Sequence, residues 1–346
     1  SSIQAALNFT GDGGTIHVSP GTYQENIIWS EVEGVQLLGE DKETTIIDGG
    51  GVGRVMTFEG LDATSFMSGF TLQNGLASEG GGLMISNSEM SFENLIITDN
   101  TATSNGGGIY LVNDVGNKDI YMNNILISDN DAPAGGGIFH QGTTLYLDNS
   151  IIENNEATYS ATQYFSSYGH CTYDNVIIRG NIASFEAVLH SHSINNIFFN
   201  NSVISGNINT NGSGYVMGGN PYTRFNFDNI LIADNVGGAI LAQNTGLQSS
   251  YTILNRVTMT GNVSADGTVG GIKITSPTRD GYTTITNSII YNNGETQIFI
   301  EPDLDPLLSI EYTDLQGGEA GITEGIVTVT WGEGNIDVDP RFVDAA

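Results

Sequence analysis

A seven-residue phrase, Asn-x-x-Ile-x-x-Asn, recurs along the chain and constrains its fold more than any other feature. It runs from Asn94 to Asn100, Asn124 to Asn130, Asn149 to Asn155, Asn175 to Asn181, Asn201 to Asn207, Asn229 to Asn235 and Asn287 to Asn293. Between Asn255 and Asn262 one extra residue intervenes, which predicts a bulge. Successive opening asparagines lie 30, 25, 26, 26, 28, 26 and 32 residues apart. A second phrase sits between these copies, three glycines and an apolar triplet, at Gly80–Ile85, Gly106–Leu111 and Gly135–His140. Weaker copies stand at Gly237–Leu241 and Gly270–Ile274.

Each unit therefore holds three short strands separated by turns. With 46 Gly and 35 Asn, residues that disfavour helix, no segment is left for helical crossovers. Disorder is excluded too, because 39% of the chain is apolar and 14% charged. The arrangement that buries every unit is an all-β solenoid, a right-handed single-stranded parallel β-helix. At about 4.8 Å per rung, about 11–12 rungs make a rod about 50–60 Å long. We read residues 1–346 as one domain: a cap and first strand over 1–24, rungs over 25–325 and a C-terminal cap over 326–346. The opening Ser1–Leu7 reads as a short capping helix.

The period predicts which residues share a column. Two before each opening Asn come Phe92, Met122, Leu147, Tyr173, Phe199, Phe227, Ile253 and Ile285; four before come Met90, Ile120, Leu145, Cys171, Ile197, Phe225, Tyr251 and Thr283. Three after come Ile97, Ile127, Ile152, Ile178, Ile204, Ile232 and Ile290. Alternation on a strand points all three sets inward. Cys171 is then a core residue rather than a nucleophile. The Asn columns satisfy turn backbone, and the Gly triplets supply positive φ or close backbone approach.

A net charge of −30 excludes nucleic-acid binding and attraction to anionic membrane surfaces. No apolar run is long enough for a membrane span. One cysteine and five scattered histidines give no disulfide and no zinc-ligand spacing. No signal peptide opens the chain, which begins at Ser1-Ser2-Ile3 as a mature or trimmed product would.

Family likeness follows from these residues. The stretch from Ile3 through Pro20-Gly21-Thr22-Tyr23 to Ile46-Ile47-Asp48-Gly49 resembles the first rungs of bacterial right-handed β-helix proteins of the pectin-lyase-like superfamily. The phrase Ile97-Thr98-Asp99-Asn100-Thr101-Ala102 with Gly106-Gly107-Gly108-Ile109 resembles the repeats of polymorphic outer-membrane proteins and related adhesins, which usually carry Phe where Ile97 stands. The ending Asn335–Asp344 looks like the segment closing such helices before a surface anchor. The resemblance implies an extracellular or cell-surface bacterial protein. The signatures of the polygalacturonases are absent; Gly169-His170-Cys171 lacks the second glycine of Gly-His-Gly.

Chemistry is expected where outward side chains gather. Before successive opening asparagines stand Asp119, Tyr121, Asn123; Thr144, Tyr146, Asp148; His170, Thr172, Asp174; Asn196, Phe198, Asn200; and Arg224, Asn226, Asp228. Asp148 and Asp174 on adjacent rungs are candidate ligands for Ca²⁺, the one cofactor the pattern suggests. Tyr146, Phe198, Tyr121 and Asp228 are candidate sugar contacts. His170, Arg224 and Asp174 are candidate catalytic groups of a lyase on acidic polysaccharide, with His170 as base. The stretch Tyr159–His192 loses the glycines and gathers Tyr159, Tyr164, Phe165, Tyr168, His170, His190 and His192, a second candidate site. Arg179 is expected to pair with Glu153 across one rung. The acid-rich turns at Glu301–Asp305 and Asp337, Asp339 and Asp344 are expected to be solvated.

A third feature concerns partners. The middle residue of each apolar triplet is expected to face out: Met84, Tyr110, Phe139, Phe165, Leu241, Lys273 and Phe299. Such a stripe calls for a cover, either the chain's own loops, a second copy, another domain or a glycan. The sequence thus favours a non-catalytic surface rod presenting a face for adhesion, glycan binding or self-assembly, with a polysaccharide lyase or hydrolase as the alternative.

Overall fold

The computed structural model describes residues 2–342 apart from 31, 114–117, 168, 186, 193–194, 212–213, 220–221, 244–249, 265–268, 276–280, 302–306 and 324–327. One winding shows the plan of all. Thr144–Asp148 forms a first face, Asn149 turns the chain, and Ile151–Glu153 forms a second face. Asn154 and Asn155 make the next corner before a third face, Glu156–Tyr159. A corner at Ser160 then leads to a fourth face, Gln163–Phe165, and the chain returns to the first face at Gly169–Asp174. Every strand lies parallel to its counterpart one winding on, as Leu147 beside Tyr173 and Glu156 beside Ile182. Among the described residues the first and second faces form one 20-stranded sheet, the third a 6-stranded sheet and the fourth a 12-stranded sheet. The fold is a right-handed parallel β-helix.

The expected columns fill the interior. Phe92, Met122, Leu147, Tyr173, Phe199 and Phe227 are buried in one file, and Ile97 through Ile290 in another. Tyr173 and Phe199 stack with centroids 4.4 Å apart, and Phe199 and Phe227 at 5.4 Å. One stretch departs from the expectation. Phe227 lies beside Leu254, not Ile253, so Thr252 and Leu254 point inward and Tyr251 and Ile253 outward. The extra residue makes no bulge: Arg256, at φ 57°, takes the conformation and place of the opening Asn.

The two Asn columns do different work. The opening asparagines Asn94, Asn124, Asn149, Asn175, Asn201, Asn229 and Asn287 sit at φ 50–58°. They bend the sheet between its first two faces, where Asn tolerates the left-handed region better than most residues. Their exposed amides chain along the rod, as Asn175 Nδ2 donates to Asn149 Oδ1 at 2.8 Å. The closing asparagines are buried from Asn100 to Asn293. Asn155 Nδ2 donates to Asn181 Oδ1 at 2.9 Å and Asn181 Nδ2 to Asn207 Oδ1 at 3.0 Å, and the chain ends on Gln297 Oε1. Glycine is required at the next corner for close approach: a Cβ on Gly107 would stand 2.5 Å from the Asp131 carbonyl oxygen.

The helix Ile3–Phe9 covers the first rung with Ile3 and Leu7, and Ser2 Oγ accepts from the Ala5 amide at 3.2 Å as its N-cap. The Glu25 carboxylate accepts from the Ile3 and Gln4 amides at 2.8 and 3.0 Å, satisfying two more of the amides a helix start leaves unpaired. At the far end Asn335 donates to the Ile310 carbonyl at 2.8 Å, while Ile336, Val338 and Phe342 are exposed. Glu301–Asp305 beyond its first residue, and Asp344, lie outside the described residues.

Candidate functional site

The first face presents the expected outward array from Asp119 to Asp228 in the expected register. Its middle column carries the aromatics. Tyr121 and Tyr146 lie flat on one another, centroids 4.7 Å apart and planes within 5°. Tyr121 is 45% exposed, so its ring offers a free surface. Phe198 stands in the same column two rungs past Tyr146, with Thr172 between.

One margin of the face, which begins at Asp119, gathers His170, Asn196 and Arg224. Asn196 links the other two members: its Nδ2 donates to His170 Nδ1 at 2.7 Å, and its Oδ1 accepts from Arg224 Nη1 at 3.3 Å. The Arg224 guanidinium lies 5.9 Å from the centre of the Tyr251 ring. The sequence sets Asn196 in the outward array without a role of its own and places Tyr251 inside. The period alone had already set Asn196 between the other two.

The opposite margin is acidic. Asp148 and Asp174 are register partners, and burial together with the Asp174 charge pushes the Asp148 carboxyl up. Asn201 Nδ2 donates to Asp174 Oδ1 at 2.8 Å. This donor set fits Ca²⁺ poorly, because the ion takes 6–8 oxygens and here an amide N–H turns toward the pair. Among the described residues no three acidic, His or Cys side chains gather as a metal site. Asp228 is engaged by a two-pronged pair with Arg256 and by Asn255 Nδ2 at 2.7 Å, and the Arg256 bonds hold its carboxyl below the usual range. That occupancy removes Asp228 from the free sugar contacts.

The proposed catalytic trio does not converge. His170 and Asp174 occupy opposite ends of one strand, about 13 Å apart at the strand rise. Arg224 lies two rungs from His170, on the same margin.

The stretch from Tyr159 to His192 is dispersed rather than gathered. His170 lies on the first face. On the fourth, His192 lies tilted against Tyr164 at 4.9 Å and against His190 at 4.4 Å. Tyr159 meets Phe185, and Tyr168 lies outside the described residues. Phe165, expected outward, is fully buried against His140, their centroids 5.0 Å apart. Ser160, Ala161 and Thr162 replace the glycine triplet, so Tyr164 is the outward member. The stripe then reads Met84, Tyr110, Phe139, Tyr164, His190, Gly218, Leu241, Lys273, Phe299. It is not an open surface at Tyr110 and Phe139, which are only 8% and 6% exposed beside Ala134. Gly218 leaves a cavity of about 140 Å³ between His190, Tyr215 and Leu241.

A buried polar chain crosses the core beneath. His140 Nε2 donates to the Thr143 carbonyl at 3.0 Å and its Nδ1 accepts from Gln163 Nε2 at 3.0 Å, while Gln163 Oε1 accepts from the Tyr173 hydroxyl. Burial pulls the His140 imidazole down to about 4 and pushes the Cys171 thiol up to about 12, which leaves Cys171 unreactive. Arg179 Nε donates to Glu153 at 2.6 Å, the expected pair.

No family model and no curated protein matches the chain. Two solved structures are similar to it. The catalytic unit of a thermostable GH87 α-1,3-glucanase from Streptomyces thermodiastaticus matches 97% of this chain with 16% identity and a TM-score of 0.53. The chain spans 65% of that unit's length. The receptor-binding protein of bacteriophage Det7, a tailspike, matches 100% of this chain and 76% of its own, with 12% identity and a TM-score of 0.43. The likeness to the glucanase unit is one of fold.

Proposed function

We propose that the chain is an extracellular β-helical rod whose first face binds a polysaccharide without cleaving it. The observation that carries this reading is the stacked Tyr121–Tyr146 pair, exposed at Tyr121 and half-buried at Tyr146, in line with Phe198. The uncovered outer faces of the stacked pair and the Phe198 ring suit the apolar faces of sugars, and the amides and carboxylates of both margins suit their hydroxyls. The separation of His170 from Asp174 favours a non-catalytic role. Surface display accords with the adhesin-like repeat and with an acidic, soluble rod. The Streptomyces protein of like fold is named an α-1,3-glucanase, so α-1,3-glucan heads the glycans to try, followed by pectate.

The test is affinity electrophoresis against a panel of neutral and acidic glycans. Binding to one class is expected, weakened about tenfold by Tyr146→Ala, the loss of one stacking face. Binding indifferent to Tyr146→Ala and Phe198→Ala overturns the assignment of this face.

One observation favours a second reading, a hydrolase or lyase. Asp148 and Asp174 are carboxyls on adjacent rungs, with Asp148 raised by burial and by the Asp174 charge, and two carboxyls that close are what acid–base cleavage of a glycosidic bond uses. New reducing or unsaturated ends that vanish in Asp148→Asn and Asp174→Asn would establish it.

A further inference from the structure

Positions two and three after each opening asparagine are both aliphatic in nearly every copy of the repeat. Neighbours on a strand face opposite ways, so only one of each pair can serve the core. The structure turns Ile97, Ile127, Ile152, Ile178, Ile204, Ile232 and Ile290 inward. Their partners Ile96, Leu126, Ile151, Ile177, Val203, Leu231 and Ile289 form one outward column on the second face, broken only by Thr258. Leu231 is 36% exposed and the others are half-buried. Upstream the column is partly roofed: Thr71 donates to the Lys42 carbonyl at 2.6 Å, and Lys42 Nζ reaches Asn124.

We infer that the second face is where two copies of this chain pack side by side, antiparallel about a twofold axis. Charge selects it. The outward neighbours of the column from Ser128 to Tyr291 include two charges, Glu153 and Arg179, which pair with each other, and the bounding corners add Asp129 and Asp234 on one side and Arg256 on the other. The face therefore carries few charges, of both signs, on a chain of net charge −30, whereas the first face would set Asp119, Asp148 and Asp174 against their own copies. Geometry agrees. Both copies carry the same rung spacing, so an antiparallel pair stays in step along its whole length, and the contact is self-complementary. From Leu126 to Ile289 the column runs about 29 Å at the rung spacing. With a width of about 15 Å, the pair covers roughly 870 Å², below the about 1,000 Å² of a stable specific interface, which sets the expectation of a weak dimer. This inference stands apart from the glycan reading.

Sedimentation velocity on the full chain, from about 5 to about 200 µM at low and high salt, is the test. A monomer–dimer equilibrium is expected, tighter in high salt because the repulsion between two acidic rods is screened. Ile151→Gln with Ile177→Gln should weaken it at least tenfold while circular dichroism stays unchanged, and Tyr146→Ala should leave it alone. Should the double variant fold poorly, Leu231→Gln at a more exposed rung carries the same expectation. A strict monomer at the highest concentration and salt overturns the inference. So does a dimer indifferent to the second-face variants or one broken by Tyr146→Ala.

Discussion

His140 shows how one residue ties this fold to pH. Both ring nitrogens are committed inside the rod, one donating to Thr143 and one accepting from Gln163, so the imidazole must stay neutral there. In the unfolded chain it protonates near 6.5, in the folded chain near 4. Between those values the unfolded state holds more protons, so stability falls as pH drops from about 6.5 toward 4. The loss reaches about 3 kcal/mol once pH lies below both values. Urea midpoints at pH 7 and 4.5 should differ clearly for the native chain and less for His140→Gln, which keeps a donor and an acceptor. An equal drop in both would assign the acid sensitivity to the carboxylates instead. Arg256 teaches a related lesson. A left-handed corner written Asn elsewhere can be held by Arg when Asp228 fixes the side chain.

At the level of elements, the corners set the register and the strands follow. The inner asparagines should matter far more than the outer ones. Asn181 Oδ1 accepts from both the Asn155 amide and its Nδ2, and Asn181 Nδ2 donates to the Ile152 carbonyl at 3.0 Å. Asn181→Ala leaves several buried groups unpaired and is expected to cost about 3 kcal/mol or more. Asn175→Ala, exposed and losing mainly its left-handed preference, should cost about 1 kcal/mol. Denaturant titration of the two variants compares them, and equal costs would contradict the division of labour. The same corners explain what the sequence made legible. Columns counted from an asparagine or a glycine triplet were right wherever that marker itself holds the corner. At Arg256 and at Ser160 another residue holds the left-handed turn, the count slipped by one, and a slip of one exchanges the faces. That is why Ile253 was placed inside and Phe165 outside.

For the molecule as a whole, charge is the dominant long-range term. A net −30 spread along a rod repels itself, and surface pairs such as Arg179–Glu153 return only about 0–1 kcal/mol. Raising NaCl from about 20 to 300 mM should therefore raise the melting temperature by about 2 °C or more, read by scanning calorimetry. A fall would mean that short-range ion pairs outweigh the repulsion.

The sequence by itself determined the solenoid, its inward files and the outward order of the first face, because a period near 27 residues forces equivalent positions onto one another. Only the tertiary structure decided which outward groups meet. It showed Asn196 joining His170 to Arg224, Arg256 claiming Asp228, and Tyr110 and Phe139 buried on the rod's own flank. The period fixes where a Cβ points. Which side chains then touch depends on rotamers and on how loops of unequal length close over a face, and neither is periodic.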